Sequence, residues 1–397
     1  MKCGLLGQKL GHSFSPQIHS HLGEYAYDLY EKEPEELENF LRNGDFDGLN
    51  VTIPYKKSVI PYLDEVSAVA ARLGAVNTVV RRGGKLIGHN TDYFGFRTLV
   101  TQSGLSPAGK KCLVLGSGGA STVAVAVLQE LGAHVIVISR SGENHYGNLA
   151  RHSDAAIIVN TTPVGMYPHN GNTPLDLGLF PHLEGVLDLI YNPLKTQLLL
   201  DAEARGLPAF NGLWMLVAQA KEAAEWFTGS PIPNECISAI HDKLSAETEN
   251  IILIGMPGCG KTTVGKILAA QTGKEFADSD ALVEELAQKT IPRIFAEDGE
   301  GVFRNWETKA LEMLGKRTGL VIATGGGCVT QLRNYPLLRQ NGRILWLQQD
   351  VDKLATDGRP LSQSQDLRQM YAQRAPLYTQ FADQIIPPGY FQKEVTP

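Results

Sequence analysis

The stretch Ile251–Ile267, IILIGMPGCGKTTVGKI, decides the fold of the C-terminal part of the chain. An apolar, β-branched run ends at Gly255, the pattern G-x-x-x-x-G-K-T extends from there to Thr262, and a helical pattern follows. In such a strand–loop–helix unit, glycines let backbone N–H groups turn toward a phosphate, and the helix adds its unpaired first amides. Lys261 can reach the β- and γ-phosphates, and the Thr262 hydroxyl can bind Mg²⁺. The motif therefore predicts a phosphate loop that binds a nucleotide in an α/β domain.

Composition sets limits on the rest of the molecule. The 397 residues are too many for one hydrophobic core and suffice for two or three domains. With a net charge of −6 and no basic block, nucleic acid is not expected as the main partner. No apolar run is long enough to span a bilayer, and the first residues lack the apolar core of a signal peptide, so we expect no membrane partner. Scattered cysteines, odd in number, are typical of free thiols and indicate a cytoplasmic protein.

A second glycine-rich turn lies upstream. Lys111–Leu115 has the pattern of a strand, Gly116–Ser121 (GSGGAS) opens a helix over Thr122–Leu131, and a second strand follows at His134–Ser139. This order is typical of a dinucleotide-binding fold. Where NAD-binding proteins usually carry Asp or Glu after the second strand, this chain has Ser-Arg140-Ser. A cation and two hydroxyls suit a ribose 2′-phosphate, which favours NADP(H); the alternative is a solvated arginine on a loop.

Strand-like and helical runs alternate along the whole chain, which predicts α/β domains with parallel sheets and right-handed crossovers. We assign residues 1–100 to a first domain, completed by helices within 212–244, and residues 101–211 to the dinucleotide-binding domain. The polar hexapeptide SAETEN at 245–250 follows a helical run and precedes the strand that begins at Ile251. We therefore predict a linker at 245–250 and a third domain at 251–397.

Three polar motifs precede the dinucleotide-binding unit: GHSFSP (Gly11–Pro16), NVTIPYK (Asn50–Lys56) and GHNTD (Gly88–Asp92). They supply hydroxyls, amides, one lysine and one aspartate. Each motif alone also fits a plainer interpretation, in which the serines and Asp92 are helix N-caps and Lys56 is a surface charge. Together they suit a polyhydroxylated acid, and a Lys–Asp pair can move a proton while a hydride reaches a carbonyl.

With these motifs in order, residues 1 to about 244 resemble shikimate dehydrogenase. The further matches are GAVNT (Gly74–Thr78), GSGGAS, NTTPVGM (Asn160–Met166), DLIYNPLKTQLL (Asp188–Leu199) and GLWMLVAQA (Gly212–Ala220). The resemblance implies a substrate-binding α/β domain and a Rossmann-like NADP domain, with Lys56 as the catalytic acid/base paired with Asp92. The residues that it implies for the substrate are Ser13, Ser15, Thr52, Asn77, Asp92, Tyr191 and Gln219, and those for NADP(H) are Gly116, Ser117, Gly118, Gly119, Ala120, Arg140, Leu189 and Gly212.

Residues from about 250 onward resemble shikimate kinase over their full length. Beyond the phosphate loop, the matches are FADSD (Phe276–Asp280), the segment from Ile294 to Glu307, ATGGG (Ala323–Gly327), DGRPL (Asp357–Leu361) and RAPLY (Arg374–Tyr378). The resemblance implies that Asp280 binds substrate hydroxyls and acts as base, and that Thr262 and Asp278 hold Mg²⁺. The residues that it implies for ATP are Gly258, Cys259, Gly260, Lys261, Thr262, Thr263 and Arg359, and those for the substrate are Asp280, Arg304, Gly326 and Arg374. Phosphoryl transfer needs mainly positioning and charge neutralisation, which Lys261, Mg²⁺ and Arg359 can supply.

Plainer alternatives apply to several of these kinase-region residues. Arg304 can form a structural salt bridge to Glu307, which lies one helical turn further on. Asp278 and Asp280 can be helix N-caps. For Cys259 the plainer interpretation is a small residue that fills the phosphate loop.

The chain departs from its relatives at two loops. After Arg140, Gly142-Glu-Asn stands where relatives often have a second basic residue, and the segment up to Asn160 is short. The lid segment Gln348–Gly358 is also short, and Lys353 is its single cation.

The two resemblances support each other, because the product of one reaction is the substrate of the next. We predict a bifunctional enzyme that reduces 3-dehydroshikimate to shikimate with NADPH and then phosphorylates the 3-hydroxyl of shikimate with ATP and Mg²⁺, two steps toward chorismate. One alternative is a quinate/shikimate dehydrogenase that uses NAD, against which Arg140 argues. The other is a degenerate kinase-like domain that only senses ATP or shikimate. Intact Lys261, Thr262, Asp280 and Arg359 argue against it, and the short lid favours it.

Overall fold

The first of three sheets is mixed and lies in the N-terminal part of the computed structural model, which describes residues 1–11, 13–354 and 366–390. Its elements are β1 (Lys2–Gly7), α1 (Ser15–His19), β2 (Ala26–Glu31), α2 (Leu37–Asn43), β3 (Gly48–Val51), β4 (Glu65–Val66), α3 (Ala68–Leu73), β5 (Thr78–Arg82) and β6 (Lys85–His89). The strand order is β2-β1-β3-β5-β6-β4, with β1 parallel to β2 and β3, and with β5 antiparallel to β3 and β6. Leu6, Leu49 and Val79 of this sheet pack with Leu37 and Leu41 of α2 in a buried core.

The second sheet is parallel throughout and carries the dinucleotide-binding pattern. Its elements and the helices around it are α4 (Asp92–Gln102), β7 (Lys111–Leu115), α5 (Gly119–Glu130), β8 (His134–Ile138), β9 (Ile157–Asn160), β10 (Gly185–Asp188), α6 (Gln197–Ala204), β11 (Ala209–Phe210), α7 (Leu213–Thr228) and α8 (Glu235–Thr248). The strand order is β11-β10-β9-β7-β8. The predicted start of α5 at Thr122 is wrong by three residues, because Gly119, Ala120 and Ser121 of the turn already form the first turn of the helix.

The third sheet is also parallel and follows the phosphate-loop strand. Its elements are β12 (Asn250–Ile254), α9 (Lys261–Thr272), β13 (Glu275–Asp278), α10 (Ser279–Ala287), α11 (Ile291–Glu297), α12 (Glu300–Lys316), β14 (Leu320–Ala323), α13 (Asn334–Arg339), β15 (Gly342–Leu347), α14 (Leu367–Phe381) and β16 (Gln384–Ile386). The order is β13-β14-β12-β15-β16, so β12 is central. Every residue of β12 is buried, which explains its unbroken apolar run. The three sheets confirm the predicted α/β class.

The chain divides into two compact units whose boundaries differ from the three predicted domains. The first unit comprises Met1–Val164, Thr173–Tyr191 and Asp201–Lys243. The second comprises Gly165–Asn172, Asn192–Leu200 and the described part of Leu244–Pro397. The second unit therefore includes two segments that the sequence analysis assigns to the dinucleotide-binding domain.

Residues 245–250, predicted as a linker, form regular structure almost throughout. α8 continues to Thr248, and β12 begins at Asn250. The Lys274 ammonium donates to the carbonyl oxygens of Ala246, Glu247 and Glu249 at 2.7, 3.0 and 2.8 Å. A cation at a helix C-terminus satisfies carbonyls that lack helical partners and so favours extension of the helix. The polar hexapeptide SAETEN therefore belongs to the end of α8 and the start of β12, where Thr248 and Asn250 are buried.

Among the helices in the described ranges, none combines the length and the apolar character that a membrane span requires.

Candidate active sites

Lys56 and Asp92, the predicted acid/base pair, are in direct contact. Lys56 follows β3 through a short loop, and Asp92 is the first residue of α4. The Lys56 ammonium donates to Asp92 Oδ2 at 2.6 Å, and the two side chains are 29% and 12% exposed. Thr91 occupies the N-cap position, so Asp92 is not the cap that the plainer interpretation requires. A lysine that is shielded but still partly accessible can give a proton to a bound carbonyl oxygen.

Asn77 and Gln219 meet at Thr91, directly before Asp92. Asn77 Oδ1 accepts from the Thr91 N–H at 2.7 Å, and the Thr91 hydroxyl lies 3.4 Å from Gln219 Oε1. Gln219 reaches this point because α7 packs closely on α4: a Cβ atom on Gly95 would lie 2.7 Å from the Met215 carbonyl oxygen. Thr91 is not among the predicted site residues, although it lies inside the GHNTD motif.

Ser13, Ser15 and Tyr191 form a second group, drawn from distant parts of the sequence. The Ser15 N–H donates to Ser13 Oγ at 3.2 Å, and the Phe14 ring contacts the Tyr191 ring with centroids 5.8 Å apart. The N-cap of α1 is Phe14, without a side-chain capping bond, so neither serine is an N-cap. Thr52, directly after β3, is half-buried.

The glycine-rich turn after β7 is open toward solvent. Gly116 has φ +107°, and a Cβ atom there would lie 2.9 Å from Thr161 Oγ1, so the turn requires glycine. Gly118 and Gly119 face open space, and the N-cap Gly118 offers no side chain to the first amides of α5. Ser117 is exposed and Ala120 half-buried beside them. Free amides at the start of a helix fit the pyrophosphate of a dinucleotide.

Arg140 directly follows the serine after β8 and is exposed. Burial raises the pKa of the neighbouring Tyr146 hydroxyl, and the charge of Arg140 opposes that rise. The Ser139 hydroxyl donates to the Ser141 carbonyl oxygen and braces the loop. Arg140 therefore remains the positively charged group predicted to bind a 2′-phosphate. The Ser139 hydroxyl already donates its proton within the loop.

Leu189 and Gly212, both predicted to bind the cofactor, are packed against each other. A Cβ atom on Gly212 would lie 2.1 Å from the Leu189 carbonyl oxygen. The Gly212 N–H donates to the Ile190 carbonyl oxygen at 3.0 Å. Only a glycine permits this approach of the chain to the end of β10.

The phosphate loop of the second unit holds its lysine inward. Lys261 is buried, and its ammonium donates to the carbonyl oxygens of Gly255 and Met256, both at 2.9 Å. Gly258 and Gly260 have φ values of +80° and +94°. Gly260 caps α9 without a side-chain bond, which leaves the first amides of the helix for a phosphate. Cys259 is buried within the loop, and Thr263 is exposed on the first turn of α9.

Thr262 and Asp278 lie together at the rim of this loop. The Thr262 hydroxyl donates to Asp278 Oδ2 at 3.0 Å, and Asp278 Oδ1 accepts from the Asp280 N–H at 3.0 Å. Asp278 is thus also the N-cap of α10, so the plainer interpretation holds beside the functional one. One hydroxyl and one carboxylate oxygen fit Mg²⁺, which keeps several waters and binds substrate phosphates as well.

A cavity of about 440 Å³ opens beside the phosphate loop, and the four predicted substrate-binding residues of the kinase region line it: Asp280, Arg304, Gly326 and Arg374. Its floor is the glycine triplet after β14. A Cβ atom on Gly325 would lie 2.7 Å from both Asp280 Oδ1 and Glu307 Oε1. The Gly326 carbonyl oxygen accepts from Arg374 at 3.2 Å and from the Tyr378 hydroxyl.

The guanidinium of Arg304 packs directly against Gly327. A Cβ atom there would lie 2.4 Å from both terminal nitrogens of Arg304. Arg304 donates to Glu307 at 2.9 Å and to Glu300 at 2.8 Å, so the structural salt bridge holds and a second carboxylate joins it. Glu300 is not among the predicted residues, although it stands four positions before Arg304, the spacing of a helical ion pair. Two carboxylates and a glycine floor fix the guanidinium of Arg304 where it lines the cavity.

Burial raises the pKa of two carboxyl groups in this cavity. The Glu307 pKa is raised to about 7, against the opposing charge of Arg304. The Asp280 pKa is raised to about 6 by burial and by the charge of Asp278. Carboxyl groups with raised pKa values accept protons more readily, which suits the predicted role of Asp280 as base.

Arg359 and the last four residues of the predicted lid, Gln348–Gly358, lie outside the described residues. In the described part, Asp350 caps a 3₁₀ helix at Val351–Lys353. Asp352 pairs with Arg368 at 2.8 Å, so its charge has a cationic partner.

Comparison with known proteins identifies the first unit. The family model of the shikimate dehydrogenase substrate-binding domain matches residues 5–79. The shikimate dehydrogenase (NADP(+)) of Symbiobacterium thermophilum is 39% identical over 259 residues, which cover 57% of this chain and 88% of that protein. This chain belongs to the shikimate dehydrogenase family.

Solved structures of shikimate dehydrogenases agree with this assignment. The chorismate mutase/shikimate 5-dehydrogenase fusion protein of Clostridium acetobutylicum is 35% identical, with a TM-score of 0.59 over 61% of this chain and 96% of that one. The shikimate 5-dehydrogenase of Thermus thermophilus, in complex with NADP(H) and shikimate, is 32% identical, with a TM-score of 0.55 over 61% and 99%.

The shikimate kinase family model matches residues 257–395. The chain is therefore a shikimate dehydrogenase fused to a shikimate kinase domain, and both predicted resemblances are confirmed.

Proposed function

We propose that this chain catalyses two consecutive reactions: reduction of 3-dehydroshikimate to shikimate with NADPH, and phosphorylation of the shikimate 3-hydroxyl with ATP and Mg²⁺. The observation that carries the proposal is the match to a shikimate kinase in the same chain as a shikimate dehydrogenase. The product of the first reaction is the substrate of the second. The assignment of each domain therefore supports the substrate proposed for the other.

In the reductase, NADPH supplies the hydride when it is bound. The residues of this chain bind the substrate and handle the proton. Lys56 gives a proton to the carbonyl oxygen that becomes the new hydroxyl, and the Asp92 carboxylate at 2.6 Å orients the ammonium. Ser13, Ser15, Thr52, Asn77, Tyr191 and Gln219 bind the hydroxyls and the carboxylate.

In the kinase, Arg304 and Arg374 bind the substrate carboxylate, since guanidinium groups pair with carboxylates through two parallel hydrogen bonds. Asp280 accepts the proton of the attacking 3-hydroxyl. As the new O–P bond forms and the bond to ADP breaks, Lys261 and Arg359 neutralise charge on the transferring group. Thr262 and Asp278 would hold Mg²⁺.

One coupled assay tests the proposed function. 3-Dehydroshikimate and NADPH are incubated with the purified full-length chain, with and without ATP and Mg²⁺, and shikimate and shikimate 3-phosphate are measured. We expect shikimate alone without ATP and shikimate 3-phosphate with it. Oxidation of NADPH without any phosphorylated product would favour the degenerate kinase-like domain.

Arg140→Ala should remove most of the preference for NADPH. We expect the unmodified chain to favour NADPH over NADH by at least about tenfold in kcat/KM, since one charge-assisted contact to a phosphate contributes roughly 1.5–3 kcal/mol. The variant should lose that margin with little change for NADH. Arg151→Ala, another exposed arginine further along the same segment, is the control. Equal kcat/KM values for both cofactors in the unmodified chain would contradict the assignment.

The short lid should make the kinase a weak binder of ATP that still turns over. In such folds, lid side chains stack on the base, and here the lid offers only Lys353. Loss of ground-state contacts raises KM and spares kcat. With shikimate saturating, we expect a KM for ATP at or above about 1 mM, the upper end of the ordinary range, with a kcat of ordinary kinase size. Absence of phosphorylation at several millimolar ATP would favour the degenerate domain.

A further inference from the structure

Tyr27 lies on β2, at the edge of the first sheet, and belongs to no motif quoted from the sequence. Its hydroxyl donates to Asn50 Oδ1 at 2.7 Å. Burial raises the pKa of this hydroxyl, and the side chain of Ser15, a predicted substrate-binding residue, is close enough to oppose that rise. Tyr27 therefore connects the start of α1 with the end of β3.

From Asn50, hydrogen bonds continue through buried side chains to two other predicted substrate-binding residues. Asn50 Nδ2 lies 3.4 Å from the Thr78 hydroxyl, which donates to Asn77 Oδ1 at 3.2 Å. Asn77 Nδ2 donates to the Thr91 hydroxyl at 3.0 Å. Thr91 in turn reaches Gln219 at 3.4 Å, so one connected network links Ser15, Asn77 and Gln219.

The direction of these bonds depends on Tyr27. An amide carbonyl oxygen only accepts and an amide nitrogen only donates, so the tyrosine proton on Asn50 Oδ1 orients Asn50 Nδ2 toward Thr78. Without that proton, a half-turn of the Asn50 amide would place an acceptor toward Thr78. The hydroxyl of Thr78 would then have two competing acceptors, Asn50 and Asn77.

His19 holds the Tyr27 ring in place without adding charge. The two rings stack with centroids 4.0 Å apart, and His19 Nδ1 lies 2.7 Å from the Tyr25 hydroxyl. Burial lowers the pKa of His19 to about 3, so the imidazole is neutral near neutral pH. Its Nε2 atom is buried without a hydrogen-bond partner, and the nearby Asn50 side chain opposes part of the fall in pKa. The orientation of Asn50 is therefore determined by Tyr27 and Thr78.

We propose that Tyr27 is a positioning residue of the reductase, whose hydroxyl holds Ser15 and Asn50 in the orientation that binds the substrate. Tyr27 acts through other residues and takes no part in the transfer of hydride or proton. The proposal rests on the proposed reductase function. It assigns a role to a tyrosine outside the family motifs.

The experiment compares Tyr27→Phe with Tyr25→Phe in the full-length chain. Each variant loses one hydroxyl near His19, but only Tyr27 contacts Asn50. For Tyr27→Phe we expect the KM for 3-dehydroshikimate to rise about three- to tenfold, as for the loss of one hydrogen bond, with kcat and the KM for NADPH within about twofold. Tyr25→Phe should leave all three constants within about twofold of the unmodified chain.

Two further variants separate positioning from a general effect on folding. Thr78→Val interrupts the same network without touching Tyr27 and should also raise the KM for 3-dehydroshikimate. In a double-mutant cycle, Tyr27→Phe should cost less in a Ser15→Ala background than alone, because the two side chains are coupled. Melting temperatures of all variants report on folding.

Several outcomes would overturn the proposal. These are an unchanged KM in Tyr27→Phe, equal increases in Tyr25→Phe and Tyr27→Phe, or independent effects of Tyr27→Phe and Ser15→Ala. If the unmodified chain does not reduce 3-dehydroshikimate, the reductase function falls and the role of Tyr27 falls with it. If the unmodified chain is active and Tyr27→Phe behaves like it, only the role of Tyr27 falls.

Discussion

Lys56→Ala is expected to lower kcat of the reductase by roughly 10²- to 10⁴-fold, the usual contribution of a positioned acid or base, and to leave the kinase near normal. Lys261→Ala should do the reverse. Lys56 contacts Asp92 in the first unit, and Lys261 lies inside the phosphate loop of the second. Removing either ammonium should therefore abolish only the reaction at its own site. Both rates are measured on the same preparation of each variant. The activity that is expected to persist then shows that its own unit is folded.

Matched lysines provide the controls for this pair of substitutions. Lys57 is exposed beside Lys56, and Lys266 is exposed one turn along α9 from Lys261. Lys57→Ala and Lys266→Ala should leave both activities within about twofold, as expected for surface charges. Loss of both activities in a folded Lys56→Ala or Lys261→Ala protein would contradict the model of two separate sites.

Gly327→Ala should raise the KM of the kinase for shikimate by roughly 10- to 100-fold, the value of one or more charge-assisted hydrogen bonds. The new methyl group would lie 2.4 Å from the Arg304 guanidinium nitrogens. The guanidinium cannot move aside without loosening its bonds to Glu300 and Glu307. The three atoms nearest to this methyl group all belong to Arg304, so the KM for ATP should change little.

Gly301→Ala is the matched control for Gly327→Ala. Gly301 lies on α12 near Arg304, but a Cβ atom there has open space around it. This variant should bind shikimate as the unmodified chain does. Steady-state kinetics with varied shikimate at saturating ATP measure the effect. An unchanged KM in Gly327→Ala would mean that Arg304 does not bind the substrate from the position seen here.

The sequence predicted best what is encoded locally. The phosphate loop with Lys261 and Thr262 is a continuous segment, and its fold follows from glycine positions and an apolar strand. The Lys56–Asp92 pair came from two motifs that are weak separately; their chemistry suggested a pair that moves a proton, and the resemblance to a family assigned the roles. In the structure, the Lys56 ammonium lies 2.6 Å from Asp92 Oδ2. The roles assigned to these residues are predictions, which the substitutions above test.

Other features could not be predicted, because they depend on packing between distant segments. Glu300 is not one of these features, since it pairs with Arg304 at i, i+4 on α12, a spacing that the sequence already shows. Tyr27 meets Asn50 only through the pairing of β2 and β3 with β1. The regular structure of residues 245–250 has a similar cause, since Lys274 comes from a different part of the chain and binds the end of α8.

That contact of Lys274 has a practical meaning for anyone who wishes to divide the gene. A kinase half that begins at Ile251 would leave Lys274 with none of its three carbonyl partners. It would also lack Asn250, whose amide binds the Arg317 carbonyl and the Leu320 N–H at 2.7 and 2.8 Å. SAETEN looks like the natural place to divide the gene. Yet these six residues form the end of α8 and the start of β12, and they bind Lys274 of the kinase domain. A shortened gene that preserves these contacts would begin at or before Leu244.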